Sequence, residues 1–509
     1  MDKPRQQIRS LELEGISKSF GEVRANRGID FRIDSGEIVG LLGENGAGKT
    51  TLMNILFGLY QPDAGEIVVN DKSVHIRSPK DSITLGIGMV HQHFMLVQNH
   101  TVAENVALAS IDGKRLFPTR EVKRRLSKFA ESYGLRVDPD KEVWELSAGE
   151  QQRVEIAKLL LNSADLLIMD EPTSVLTPAE ARDLFEILRR MRAEGHSVIF
   201  ISHKLEEVID VCDRVVILRR GEIVGAADTN DVDRRDLARM MVGREVIFDF
   251  ERSEKEAGRS VLEVDSVTVR GDRGTDAVKD VSFMVRQGEI VGVAGVSGNG
   301  QKELIEAITG LRHVEHGRIL VEGLEVSNRS ARTANNVGVT HVPEERMRFG
   351  IVPNLFIYDN SILKRHHQKP FSNLLFLDYR EIRGHADKIV DEFHVDAPSI
   401  RSRAKELSGG NIQKLILGRE ISGDHSLLVA AHPTYGLDIG ATEFIRHHLL
   451  ERRLSGTAVL LVSEDLEELR ALSDRIAIMY GGEIAGVVSP DTDLDEIGLL
   501  MVGSSAQGA

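Results

Sequence analysis

Cysteine is nearly absent. Cys212 is the only one in 509 residues, which excludes an internal disulfide and any thiolate metal cage and leaves a lone thiol that reads as packing. Aromatic residues make up only 5% and basic residues are in deficit, 64 Lys and Arg against 79 Asp and Glu for a net charge of −15. With no basic block and no aromatic–basic stripe, binding to a phosphate backbone has little to drive it, and nucleic acid is set aside as a partner. No apolar run approaches the roughly 18–20 residues that cross a bilayer, and Met1-Asp2-Lys3-Pro4-Arg5-Gln6-Gln7 lacks a secretion-signal pattern. The expected location is therefore cytoplasmic. The histidines show no metal-ligand spacing. What remains is an ordinary globular composition, 41% hydrophobic, with length for roughly two to four domains.

The most informative stretch is Gly43-Glu44-Asn45-Gly46-Ala47-Gly48-Lys49-Thr50, between the apolar run Ile38–Leu42 and the segment Thr51–Leu56. This is the pattern of a strand, a glycine turn and a helix start. Glycines there let main-chain N–H groups converge on phosphate oxygens, Lys49 neutralises the β- and γ-phosphates, and the Thr50 hydroxyl can hold Mg²⁺. A nucleoside triphosphate site is expected, with Gly43, Glu44, Asn45, Gly46, Ala47, Gly48, Lys49, Thr50 and Thr51 around it.

The chain is written twice. Ser35-Gly36-Glu37-Ile38-Val39-Gly40 returns as Gln287-Gly288-Glu289-Ile290-Val291-Gly292, and Leu146-Ser147-Ala148-Gly149 returns as Leu407-Ser408-Gly409-Gly410. A period this long means duplicated domains rather than a solenoid. We expect one domain over 1–250, a linker over 251–260 in the polar stretch beginning Glu251-Arg252-Ser253, and a second domain over 261–509. Buried-type runs such as Leu166–Met169 and Ser197–Ile201 alternate with helical stretches such as Ala179–Leu188, which predicts an α/β core with a mainly parallel sheet. The charged, helix-favouring region from Val102 to Leu161 predicts an inserted helical subdomain. The run Leu166–Met169 delivers Asp170 and Glu171 to a strand's C-terminal end, where ligands of open α/β sheets bind. Asp170 can hold Mg²⁺ through water, and Glu171 can polarise an attacking water.

Taken together these residues resemble an ATP-binding cassette (ABC) protein, over nearly the whole chain and twice: two tandem P-loop NTPase domains. Leu146-Ser147-Ala148-Gly149-Glu150-Gln151-Gln152-Arg153 is similar to the family's signature motif. The resemblance implies that Gln92 is the Q-loop glutamine, near both metal and chemistry, that His203 is the switch histidine, and that Phe20 stacks on adenine. The fused pair resembles the ATPase subunits of simple-sugar and nucleoside importers. His91–Val97, Gly295–Gln301 and Ala441–Ile445 look closest to the purine or ribonucleoside branch. Two membrane-spanning permease subunits, an extracytoplasmic solute-binding protein and a peripheral position on the cytoplasmic face of the membrane are thereby implied, with ATP and Mg²⁺ as ligands.

The second copy departs from the pattern. Gln301 stands at the lysine position, Ala431 and His432 replace Asp170 and Glu171, and Glu464 replaces the switch histidine. Yet Ser408, Gly409 and Gly410 stay closer to the family signature than Ala148 and Glu150 allow in the first copy, and Asp438 keeps an acid that Thr177 replaces there. In this family two cassettes close head to tail, each signature completing the other's phosphate site. The resemblance therefore implies one hydrolysing site, Lys49, Asp170, Glu171 and His203 facing Ser408, Gly409, Gly410 and Asp438, and one degenerate site. The rival, a soluble twin-cassette ATPase acting on ribosomes or nucleic acid, normally keeps two competent sites and a long charged linker, neither of which is present.

Overall fold

The computed structural model describes residues 7–21, 23–91, 94–109, 119–176, 178–202, 204–245, 258–296, 298–373, 375–423, 425–501 and 503. The chain divides into two compact units, Met1–Val246 and Ile247–Ala509. Most of the linker predicted for 251–260 lies outside the described residues, as do Gln92, Thr177 and His203.

The first unit contains strands β1 (Ser10–Phe20), β2 (Val23–Asp34), β3 (Ile38–Leu42), β4 (Ala64–Val69), β5 (Lys72–Val74), β6 (Ile87–Val90), β7 (Leu166–Asp170), β8 (Ser197–Ile201), β9 (Arg214–Arg219) and β10 (Glu222–Asp228). Its helices are α1 (Lys49–Leu56), α2 (Pro79–Leu85), α3 (Val102–Leu108), α4 (Thr119–Tyr133), α5 (Ala148–Leu161), α6 (Pro178–Ala193), α7 (Leu205–Val211) and α8 (Arg234–Val242). Six strands form one sheet in the order β10-β9-β3-β8-β7-β6, parallel except for the β9–β10 pair. Every residue of β3 and β8 is buried, because helices cover both faces of such a sheet and leave no place for alternating polar residues. The remaining four strands form a separate antiparallel sheet, β2-β1-β4-β5.

One core joins the two sheets through α1: Leu52, Met53, Ile55 and Leu56 pack with Leu11 and Phe31 on one side and Leu41 and Ile199 on the other. Burying each such side chain is worth about 1.5–3 kcal/mol relative to leaving it in water. The loop ahead of α1 is thus anchored by one of the best-packed parts of the unit. A second, smaller core of Val102, Val106, Val122, Leu126, Val143, Val154 and Ala157 holds α3, α4 and α5 together as a helical arm. The Thr101–Glu104 capping box starts α3 by satisfying two main-chain donors reciprocally.

The second unit repeats the plan with strands β11 (Ser260–Arg270), β12 (Asp276–Arg286), β13 (Ile290–Ala294), β14 (Val314–Val321), β15 (Leu324–Glu325), β16 (Val339–Val342), β17 (Leu427–Ala431), β18 (Ala458–Val462), β19 (Arg475–Tyr480) and β20 (Glu483–Val488). Its helices are α9 (Gln301–Ile308), α10 (Ala331–Val337), α11 (Ile357–Asn360), α12 (Tyr379–Glu392), α13 (Gly409–Ile421), α14 (Ile439–Leu454), α15 (Leu466–Leu472) and α16 (Leu494–Met501). Its six-stranded sheet, β16-β17-β18-β13-β19-β20, mirrors the first, as does the antiparallel sheet β12-β11-β14-β15. Among the described residues, no helix of either unit is long and apolar enough to cross a membrane.

Candidate functional site

In the first unit the glycine loop leaves β3 and ends at Gly48, the N-cap of α1. Two of its glycines are required by close approach. A Cβ on Gly43 would collide with the Leu218 carbonyl oxygen, and one on Gly48, at φ 105°, with that of Ala25. The loop is pinned by hydrogen bonds from Ala47 N to the Glu44 carbonyl (3.1 Å) and from Gly221 N to the Ala47 carbonyl (3.0 Å). Buried Lys49 folds back over it, its Nζ donating to the main-chain oxygens of Gly43 (2.6 Å) and Glu44 (3.1 Å). An ammonium held on carbonyls beside a helix N-terminus is placed to receive phosphate oxygens. Thr50 is exposed and Thr51 half-buried in the first turn.

Asp170 closes β7, and Glu171 follows in a left-handed backbone conformation, φ 49°, its N–H donating to the Ile201 carbonyl at 2.9 Å. Burial is the main force that lifts the Asp170 pKa to about 6, with the Glu171 charge adding and Lys49 opposing. The structure therefore brings Lys49 and both carboxyl groups into one electrostatic neighbourhood, with Asp170 short of positive charge. Phe20 ends β1 exposed, and Tyr60 stands edge-on to it with centroids 5.3 Å apart. Tyr60 was not singled out by sequence, where an aromatic after a helix carries no motif.

The second unit keeps this frame and changes its groups. Gly300 caps α9 at φ 104°, and buried Gln301 points its amide at the Val296 carbonyl, 3.3 Å away, the position matching Glu44. A neutral amide thus fills the place of the Lys49 ammonium, while Lys302 is exposed on α9. His432 has the left-handed backbone of Glu171, φ 44°, and its N–H donates to the Val462 carbonyl at 2.7 Å.

The two signature segments differ more than their sequences suggest. Ser408 caps α13, its Oγ accepting from the Asn411 side chain at 2.9 Å, and Gly410 lies beside Ala441 and the Asp438 carboxylate. Asp438 in turn caps α14 through the Ala441 N–H at 2.8 Å. Ser147 caps α5 in the same way, but its Oγ also donates to Glu180 Oε1 at 2.9 Å, and the Gly149 N–H donates to the same oxygen at 3.2 Å. The start of α5 therefore already holds an anion from its own unit. Position 441, which matches Glu180, is alanine. Motif comparison passes over Glu180 because it lies 33 residues beyond Ser147; the Thr-x-x-Glu helix-start pattern at Thr177 is the one sequence signal that points to it.

With this geometry in view, the ABC transporter family model matches residues 26–174 and 278–435. The glucose import ATP-binding protein TsgD13 of Haloferax volcanii is 48% identical over 97% of this chain and 96% of its own. The guanosine import ATP-binding protein NupO of Bacillus subtilis is 46% identical over 98% of each chain. The nucleoside import ATP-binding protein NupA of Lactococcus lactis is 44% identical over 97% of this chain and 98% of its own.

Proposed function

The chain belongs to the ABC transporter family, and from that premise we propose that it is the ATP-hydrolysing subunit of an importer for nucleosides or simple sugars, with a single working ATP site. It would sit at the cytoplasmic face of the membrane, bound to two permease subunits and served by an extracytoplasmic solute-binding protein. The relatives named for guanosine, nucleoside and glucose import support the solute class.

One observation carries the single-site reading. On the same backbone frame, the first unit presents Lys49, Asp170 and Glu171 where the second presents Gln301, Ala431 and His432. The working site would be completed by Ser408, Gly409, Gly410 and Asp438, at the helix start that carries no carboxylate like Glu180. Phe20 would stack on adenine, the loop N–H groups and Lys49 would hold the β- and γ-phosphates, and Glu171 would orient a water. The water oxygen bonds to the γ-phosphorus as the bond to the bridging oxygen breaks, the electron pair leaves on ADP, and the water's proton passes to Glu171 and on to solvent. His203 and the α13 N-terminus would stabilise charge on the transferring group. Asp170, a half-buried carboxyl at the end of β7 with the Glu171 carboxylate beside it, fits a divalent cation, and with Thr50 and Gln92 it would hold Mg²⁺. That ion, when bound, supplies charge neutralisation on the phosphates.

The test is ATPase activity of the complex reconstituted with its permease subunits and binding protein, titrated with guanosine, other nucleosides, ribose and glucose. Stimulation several-fold above basal by a nucleoside or a sugar is expected. A complex that none of them stimulates refutes the import assignment.

A further inference from the structure

Asn26 lies in β2 and is 1% exposed. Its Nδ2 donates to the Gly48 carbonyl at 3.2 Å, and the same oxygen accepts the first helical hydrogen bond, from Leu52 N at 2.9 Å. The Asn26 Oδ1 is buried as well and, among the described residues, meets no donor. An orphaned buried oxygen opposes folding, so stability alone gives no reason for an amide at this position.

The second unit shows what the fold itself needs there. Its Ala277 carbonyl oxygen stands to Gly300 as that of Ala25 stands to Gly48, each 2.2 Å from the point a Cβ would take, so residue 278 occupies the place of Asn26. That residue is valine, fully buried, and Met479 Cε lies beside Gly300 where the Asn26 amide lies beside Gly48. The same close approach of strand to loop is thus made with apolar groups and strands no side-chain oxygen. The unit that keeps Lys49, Asp170 and Glu171 keeps the amide, and the unit that lacks them lacks it.

We propose that Asn26 is a positioning residue for nucleotide binding, locking the Gly48–Lys49 peptide so that the Lys49 N–H is aimed at the phosphates. This rests on the first unit's nucleotide site described under Proposed function. In a trans peptide the carbonyl and the following N–H point in opposite directions, so two hydrogen bonds on the Gly48 oxygen fix the direction of the Lys49 N–H. They also polarise the peptide and make that N–H a stronger donor. Three residues before Asn26 in β2, Val23 pairs with Phe20. Asn26 therefore also ties the phosphate loop to the hairpin that carries the aromatic placed to stack on adenine.

The experiment uses the full chain in its assembled complex and compares Asn26→Val, Val278→Asn and Lys49→Ala. Equilibrium binding of MgADP and of a non-hydrolysable MgATP analogue is measured beside steady-state ATPase activity and the melting temperature without nucleotide. The Lys49 N–H meets the same phosphate in the ground and transition states, so its loss of aim falls on affinity. Asn26→Val is expected to weaken both nucleotides on the order of tenfold and to leave kcat within about threefold, with a melting temperature equal to or above the parent's. Val278→Asn, which places the amide in the other unit, should lower the melting temperature and leave affinity and turnover unchanged. An Asn26→Val chain that binds both nucleotides within about twofold of the parent overturns the proposal. So does weakened binding that comes with a lowered melting temperature, since the amide would then serve packing alone, and so does an equal loss of affinity in Val278→Asn. If Lys49→Ala weakens binding while Asn26→Val does not, the nucleotide site stands and the role of Asn26 falls. If neither weakens it, the site reading falls as well.

Discussion

A carboxylate introduced at position 441 should silence the working site. In the first unit the Glu180 carboxyl group reaches within 2.6–2.8 Å of the point where Gly149 would carry a Cβ, and its Oε1 takes both the Ser147 hydroxyl and the Gly149 N–H. In the second unit the Ala441 Cβ lies 3.5 Å from the same point on Gly410. Ala441→Glu therefore transfers the occupant to the other signature. On the composite site proposed above, the introduced charge would compete for the signature's donors to the γ-phosphate, and loss of one transition-state donor typically costs about 100- to 1,000-fold in rate. Repulsion adds to this: like charges about 4 Å apart near a protein surface oppose each other by about 4 kcal/mol, worth roughly another 1,000-fold before solvent screening reduces it. We expect steady-state ATPase activity of the assembled complex to fall on the order of 100- to 1,000-fold in Ala441→Glu. Ala441→Gln, which has the shape without the charge, should fall by less than about tenfold. Ser408→Ala sets the scale for losing the donor itself, and Ser147→Ala should change the rate by less than about fivefold. Equal damage from Glu and Gln at 441, or an Ala441→Glu enzyme within about threefold of the parent, would refute the reasoning.

Glu171→Gln should stop turnover while leaving ATP binding within about threefold, because the amide keeps the shape and loses the basic lone pair; equilibrium binding beside single-turnover rates checks it. Lys49→Ala should weaken MgATP binding itself by on the order of tenfold or more, since the buried ammonium is the charge beside the loop, and unchanged affinity would count against the placement. The His341 imidazole, with Nε2 buried and unpartnered, is held to a pKa of about 4, mainly by burial and then by Lys364, with Glu420 opposing and Arg419 assisting. Its folded value lies below the ordinary 6.5, so it favours the folded state fully above about pH 6.5, and that contribution is lost as pH falls toward 4. The second unit should lose up to about 3 kcal/mol over that window through this group, and His341→Gln should flatten the profile measured by denaturant unfolding.

The loop, the paired carboxyls and the duplication were legible because each is a local pattern: a glycine spacing, a strand end, a repeated string. The separate antiparallel sheet was not. Strand β1 begins with the alternation Leu11, Leu13, but its pairing with β2 shifts register between Leu13 and Ile16, around Gly15 at φ 61°, and such a bulge erases the period of two on which a sequence reading depends. Glu180 was missed for another reason. It acts on main chain far away in sequence, at Gly149, and contact between a side chain and a distant glycine leaves no periodicity. Even the contrast between the two signatures, visible as Ala148 against Gly409, hid its larger cause. The helix starts differ less in their own residues than in what the neighbouring helix brings to them.

His432 repeats the left-handed backbone of Glu171, φ 44° against 49°, in a unit where the carboxylate it would aim is gone. A non-glycine residue in that conformation gives up about 1–2 kcal/mol, so the second unit keeps the posture of the first at this point without the group it would present. Giving it the first unit's groups would need new side chains at positions 301, 431, 432 and 464 rather than a new backbone at His432.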